Sequence, residues 1–265
     1  MKRILYITFT LILILSIAGC DNSYSANYKV VSTLSTDEFS LIFRSGDKLG
    51  EITQAALKVM AADGTLAGIS QRWFSRDIIS LEGDAEALDI IEYEIPKREF
   101  IMGVKLGTPP LGYKDSDGTI RGFDVDVAEL MCSMLGWDLK LLPISLENTV
   151  VELTSGNVDC VWGASAIPGA EDKVDISQPY VKSRKVLVVR QDSGIRSKSG
   201  LKDRSLGMTY DPSSQAALDA DKDLFGSLRS YTKFGSTEEC FNALAAGECD
   251  AILIDELSAN YFILQ

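Results

Sequence analysis

Two stretches of this chain repeat one construction, and that repeat limits what the chain can fold into. Leu153-Thr154-Ser155-Gly156-Asn157-Val158-Asp159-Cys160 and Leu244-Ala245-Ala246-Gly247-Glu248-Cys249-Asp250-Ala251 each read as a helix end, a glycine stop, an acidic turn and a buried strand. Around the first lie a strand at Phe100 to Val104, a helix at Phe123 to Leu135 stopped by Gly136, and a strand at Leu139 to Pro143. A helix at Leu146 to Thr154 and the strand Val158 to Trp162 complete it. Around the second lie strands at Val186 to Arg190 and Leu206 to Tyr210, helices from Ser213 to Asp219 and Ser236 to Ala246, and the strand Ala251 to Ile254. Strands alternating with helices of this length imply a parallel α/β sheet. Two such units imply two lobes with a cleft between them.

The front of the chain has a different character. Lys2 and Arg3 precede an apolar run from Ile4 to Ile17, and Ile17-Ala18-Gly19-Cys20 ends it with small residues before a cysteine. That order predicts a secretory signal over residues 1–20, too short for a comfortable membrane span. The closing cysteine resembles a bacterial lipobox, which implies that Cys20 carries the lipid and anchors the protein to the outer face of the cytoplasmic membrane. A plain signal peptide or an uncleaved anchor is the alternative. Residues 21–27 read as a polar tether. Apolar spacing predicts helices at Asp47 to Ala62 and Leu66 to Phe74. Ser80 to Lys97 reads as an acidic connector, with a short helix over Glu82 to Leu88.

Composition removes several functions. There is no histidine, so Ser-His-Asp and Cys-His catalysis and His-ligated metal sites are excluded. A formal charge of −12 argues against a nucleic-acid partner. Cys132, Cys160, Cys240 and Cys249 fall on apolar faces or in buried strands and read as small core hydrophobes, without metal-ligand spacing.

Gly122-Phe123-Asp124-Val125-Asp126-Val127-Ala128 looks like the GFDIDLA segment of amino-acid periplasmic binding proteins. Ser155 to Cys160, Val174-Asp175-Ile176-Ser177-Gln178-Pro179-Tyr180 and the stretch from Asp192 to Asp255 follow in that family's order. The chain resembles the amino-acid receptors of bacterial ABC importers, extracellular solute-binding proteins of family 3. The resemblance implies a two-lobed α/β fold of the type II periplasmic-binding-protein kind, with a hinge of two crossings and no cofactor. Segments of the family's return strand and last helices resemble Tyr28 to Asp47 and Ala61 to Phe74 instead of the rear of this chain. That order implies a circular permutation, with residues 78–99 joining the former ends. Lobe one is then residues 40–187, including 47–74, and lobe two is 28–38 with 188–265. The crossings fall near Ser35 to Phe39 and Leu187 to Arg190. A fragment of a tandem fusion, or exchange of the front segment between two copies, would give the same order.

Ligands bind such folds at the carboxyl ends of the strands. Ser213, Ser214 and Gln215 open a helix whose free N–H groups and hydroxyls attract an anion, and Ser213 reads equally well as a plain N-cap. Asp255 matches the family's ammonium-binding carboxylate, with a helix cap as its alternative. Asp124, Trp162, Gly163 and Ser165 belong to the opposite edge, where Thr108 stands in place of an aromatic residue. The family's carboxylate-clamping arginine falls at Ala170. Lys105 is the cation that could replace it, or a solvated lysine. The resemblance implies a small-molecule ligand, an amino acid or similar, passed to an ABC permease and ATPase. A lipid-anchored sensor that has lost transport is the first rival. An enzyme on the same fold, a dehydratase or peptidoglycan lyase, is the second.

Overall fold

The computed structural model describes residues 27–164, 170 and 172–264. The signal segment with Cys20, most of the tether, and Ser165 lie outside them. Among the described residues no helix is long and apolar enough to cross a membrane.

The chain opens on a strand of 17 residues, β1 (Tyr28–Arg44), followed by helices α1 (Leu49–Ala62) and α2 (Thr65–Phe74). Then come β2 (Glu99–Lys105), a small hairpin β3 (Tyr113–Lys114) and β4 (Ile120–Arg121), α3 (Phe123–Leu135) and β5 (Asp138–Ile144). A helical turn at Leu146–Asn148 runs into α4 (Thr149–Thr154), ahead of β6 (Cys160–Ala164), β7 (Val174–Ile176) and β8 (Val181–Arg190). The rear holds β9 (Ser205–Thr209), α5 (Pro212–Ala220), α6 (Lys222–Ser227), β10 (Ser230–Phe234), α7 (Thr237–Ala246), β11 (Ala251–Asp255) and α8 (Glu256–Ile263).

One sheet of nine strands runs through the molecule in the order β10-β9-β11-β8-β1-β6-β2-β5, with β7 also paired to β1. β10, β9 and β11 are parallel at one end, and β6, β2 and β5 are parallel at the other. Between them β1 and β8 lie antiparallel to each other and to their outer neighbours. β1 runs unbroken because β8 pairs with it from Tyr28↔Arg190 to Phe39↔Val181, and β6 and β7 supply its partners from Ser40 onward.

Phe39, Leu41 and Phe43 of β1 pack in one core with Leu57 of α1, Phe100 of β2 and Phe123 of α3. Val31 and Leu34 pack instead in the core of the far end, with Leu187, Val189 and Leu253. Val181 belongs to the first core, Leu187 to the far-end core, and Val186 to a further far-end cluster with Phe241 and Ile252. The crossings therefore fall at residues 35–38 and 182–185. The second lies a few residues ahead of the Leu187–Arg190 position suggested by the sequence, because Leu187 and Val189 are already inside the far core.

The repeat that is visible in the sequence reappears as matched hydrogen bonding. Asp159 Oδ2 accepts from Ile101 N at 2.8 Å, and Asp250 Oδ2 accepts from Ser205 N at 2.9 Å. Each acidic turn thus closes the start of the neighbouring parallel strand. Arg44 Nη1 donates to Leu153 O at 3.0 Å, and Arg190 Nη1 donates to Leu244 O at 2.9 Å. Each of the two long strands ends on the arginine that satisfies the last carbonyls of its half's helix.

The expected helix at Glu82 to Leu88 is absent. Those residues form turns, held to α1 by Asp84 N donating to Lys58 O at 3.0 Å. The glycine before α3 is required by geometry: Gly122 has φ of 146°, and the Leu111 carbonyl occupies the place of a Cβ.

Phe43 is 1% exposed in the core it shares with Phe100 and Phe123. Phe43→Ala is expected to cost about 3–5 kcal/mol in chemical denaturation, within one cooperative transition. A loss confined to a separate, earlier transition would show that the front strand is not part of the main core.

Candidate functional site

The carboxyl ends of β2, β6, β9 and β11 converge on a cavity of about 50 Å³, room for only a few waters. Lys105, Thr108, Asp124, Trp162, Gly163, Ser213 and Asp255 all line it. The sequence points to each of these. Asp37, Lys185 and Asp211 line it too, and the sequence reading passes over them. Ser214 and Gln215 do not line it, and the Gln215 amide is spent on Asp219 at 2.7 Å. Ala170 is buried in a separate apolar cluster with Ile42 and Val161.

On the far side of the cavity the anion position at the start of α5 is filled by the chain itself. Asp211 is the N-cap: Oδ1 accepts from Ser214 N at 2.7 Å, and Oδ2 accepts from Ser214 Oγ at 2.7 Å and from Thr209 Oγ1. Ser213 Oγ lies 2.6 Å from Asp211 Oδ1 and 2.9 Å from Asp37 Oδ2. Lys185 Nζ closes the cluster at 3.1 Å from Asp37 and 3.4 Å from Asp211. Burial works against the Lys185 charge, but Asp211, Asp255 and Asp37 outweigh it and hold the ammonium protonated. Burial likewise pushes Asp211 up, while Lys185, Lys105 and the hydroxyls pull its carboxyl well below the usual range.

Signals for these residues exist in the sequence. Asp211 before Pro212 is an N-cap followed by proline at the first helical position. Lys185 falls on the inward parity of β8, with Val181 and Ser183 buried and Lys182 and Arg184 exposed. A lysine at an inward strand position calls for a buried partner.

Among the described residues, two buried polar atoms on cavity-lining side chains have no hydrogen-bond partner, Asp255 Oδ2 and Trp162 Nε1. Asp255 caps α8, with Oδ1 accepting from Leu257 N at 2.8 Å and Ser183 Oγ at 2.9 Å, but its Oδ2 is buried without a partner. Burial pushes this carboxyl up to about 6. The amine of Lys105, a half-buried residue at the end of β2, makes no hydrogen bond among the described residues; desolvation lowers its pKa, with Asp211 pulling the other way.

Asp124 has a different employment. Its Oδ1 accepts from Tyr180 Oη at 2.5 Å, and Tyr180 stacks on Phe123 with ring planes 5° apart. Gly163, at φ of 67°, leaves room for Asp124 Oδ2 where a Cβ would stand. Asp126, two residues on, accepts from Trp73 Nε1 at 2.8 Å and ties α2 to α3. The acidic positions of this segment therefore brace the first lobe's core, and desolvation pushes Asp124 up to about 7.

The sequence profile of the bacterial extracellular solute-binding proteins, family 3, matches residues 100–233. The arginine-binding extracellular protein ArtP of Bacillus subtilis is 30% identical over 116 residues, 43% of this chain and 45% of that protein. The glutamate-binding protein GluB of Corynebacterium efficiens is 28% identical over 184 residues, 65% of this chain and 61% of that protein. The chain thus spans less than two thirds of either relative. Among solved structures, an ABC uptake transporter substrate-binding protein from Streptococcus pneumoniae with bound histidine superposes with a TM-score of 0.58 at 28% identity. The match covers 62% of this chain and 69% of that one, and the shared fold is that of type II periplasmic binding proteins.

Asp124 gives a pH signature. The native state holds its proton more tightly than the unfolded chain, so its contribution to stability is complete below 3.8 and is lost as pH rises toward about 7. Asp124→Asn keeps an acceptor for Tyr180 and removes the titration. Over that window the variant should gain on the wild type by up to about 1.4 kcal/mol per pH unit in urea denaturation. Parallel pH profiles for the two proteins would refute this.

Proposed function

The chain belongs to the bacterial extracellular solute-binding proteins, family 3, and from that premise we propose that it captures a small amino acid, or a related solute bearing an ammonium and a carboxylate, between its lobes. It then presents the solute to an ABC permease and ATPase. The observation that carries this reading is Asp255, a cavity-lining carboxylate with one buried oxygen unpaired. A solute ammonium supplies the missing donor. Lys105, also on the cavity wall and with no hydrogen bond to its amine among the described residues, takes the carboxylate in place of an arginine at Ala170.

The lobes of this receptor are residues 40–187 and 28–38 with 188–265, the boundary in β8 moving to residues 182–185 on the packing described above. The order of segments is a circular permutation; its support is that β1, α1 and α2 complete the core of β2, β6 and α3, with residues 78–99 as the join. Cys20, behind its apolar run, is the lipid-anchored residue of an exported protein. The absence of histidine supports a binding role without catalysis.

One observation favours a second reading, a lipid-anchored sensor outside transport. The helix-start anion place is taken by Asp211 and Ala170 lies away from the cavity, so two of the family's carboxylate contacts are missing.

A thermal-shift screen of the standard amino acids and small amine–carboxylate metabolites is expected to select a small neutral amino acid; no stabilising hit would remove the receptor reading. With that solute, calorimetry should show Asp255→Asn and Lys105→Ala each weakening affinity ten- to a hundredfold, from charge-assisted hydrogen bonds of about 1.5–3 kcal/mol. An unchanged dissociation constant in either variant rejects that residue's role. Affinity should also fall as pH drops below about 6, where Asp255 takes up a proton and loses its charge.

A further inference from the structure

Lys185 is 4% exposed, lines the cavity, and has its Nζ between Asp37 and Asp211, each also buried or nearly so. None of the three is supplied by a solute: the acidic pair is neutralised by an ammonium that the chain brings on its own strand. An aliphatic stem four carbons long leads to that ammonium, so the lysine fills the subsite as an alkylammonium ligand would. Asp37 and Lys185 both stand in the crossing segments, residues 35–38 and 182–185, while Asp211 starts α5.

We propose that Lys185 sets the charge class of the solute: its ammonium occupies an acidic subsite formed by Asp37 and Asp211, and so excludes solutes with a second cationic group. This deepens the reading of the cavity as the solute site and rests on it for the word solute. With the lysine side chain in place, a basic amino acid would bring its cation against Lys185 with both carboxylates already engaged. With that side chain removed, the same carboxylates face an emptied, stem-shaped space and accept an alkylammonium or guanidinium. Asp255 Oδ2 and the Lys105 amine are left for the solute's own ammonium and carboxylate.

The test is chemical rescue. Lys185→Ala is melted with n-butylammonium chloride, against equal ionic strength of potassium chloride, beside the wild type. At ten times the dissociation constant the variant's Tm should rise by about 3 °C more than the wild type's. Lys185→Ala leaves two carboxylates buried without their cation, so a second variant, Lys185→Ala with Asp37→Asn, keeps only Asp211 uncompensated and should show the same selective rise. If both variants fail to fold in plain buffer, n-butylammonium during refolding should recover soluble protein where potassium does not. A variant that responds to n-butylammonium no more than the wild type overturns the proposal, as does a wild type that binds L-lysine as tightly as L-alanine. Rescue of the variants by n-butylammonium together with a wild type that binds no amino acid would instead sink the receptor reading and leave the acidic subsite standing.

Discussion

β1 and β8 run past one another in opposite directions through the whole molecule, paired from Tyr28↔Arg190 to Phe39↔Val181. Each strand is central to the half in which it ends. β1 finishes among β6 and β7, where Arg44 holds the end of α4; β8 finishes beside β11, where Arg190 holds the end of α7. The same pair of strands also carries the chain between the halves, so the two cores cannot separate without bending this ladder. Register shifts at Val30/Ser32 and Thr33/Ser35 fall just ahead of the crossing. Bulges of that kind bend and twist a strand locally, and here they sit where the sheet passes from one core to the other.

A charged pair in the middle of such a ladder needs a reason. Removing two ions from water is costly, and replacing a buried pair by apolar residues is often neutral or stabilising. The Lys185 cluster is nonetheless well satisfied: Asp211 receives Ser213, Ser214 and Thr209, and Asp37 receives Glu38 N at 3.1 Å and Ser213. Stability alone does not account for assembling so many polar partners around one lysine at a cavity wall. Control of what charge may enter that cavity does.

The repeat made the two α/β halves legible, because glycine stops and acidic turns are local signals that tertiary packing did not override. Asp159 and Asp250 in fact hold the same place in each half. The GFDVDVA segment pointed to the cavity, which Asp124 lines; the fold also ties Asp124 and Asp126 to Tyr180 and Trp73, from β8's approach and from α2. No local pattern announces those partners, since they are far off in sequence. The polar middle of β1, Ser32 to Glu38, is strand because β8 lies beside it, a partner far off in sequence. The helix start at Ser213 was legible as an anion site, and the anion proved to be Asp211, two residues ahead of it.

The balance of satisfied and unsatisfied groups around the cavity also bears on how a solute could act. Thr237 N donates to Gly107 O at 3.2 Å, joining the start of α7 to the loop after β2 across the cavity. The cavity is small because the halves meet there. In this arrangement Asp255 Oδ2 is buried without a partner among the described residues and the half-buried Lys105 amine is partly desolvated with no hydrogen bond there, and an unmade buried hydrogen bond costs about 1–3 kcal/mol. Both terms oppose closure over an empty cavity and vanish when one small zwitterion meets both groups. A solute can shift an open–closed balance only by its differential interaction with the two states, and these two atoms are where that difference resides. The Lys185–Asp211 pair, internally satisfied, adds nothing to it. The built-in cation thus screens the charge of the solute, while the orphaned acceptor and donor couple its presence to closure.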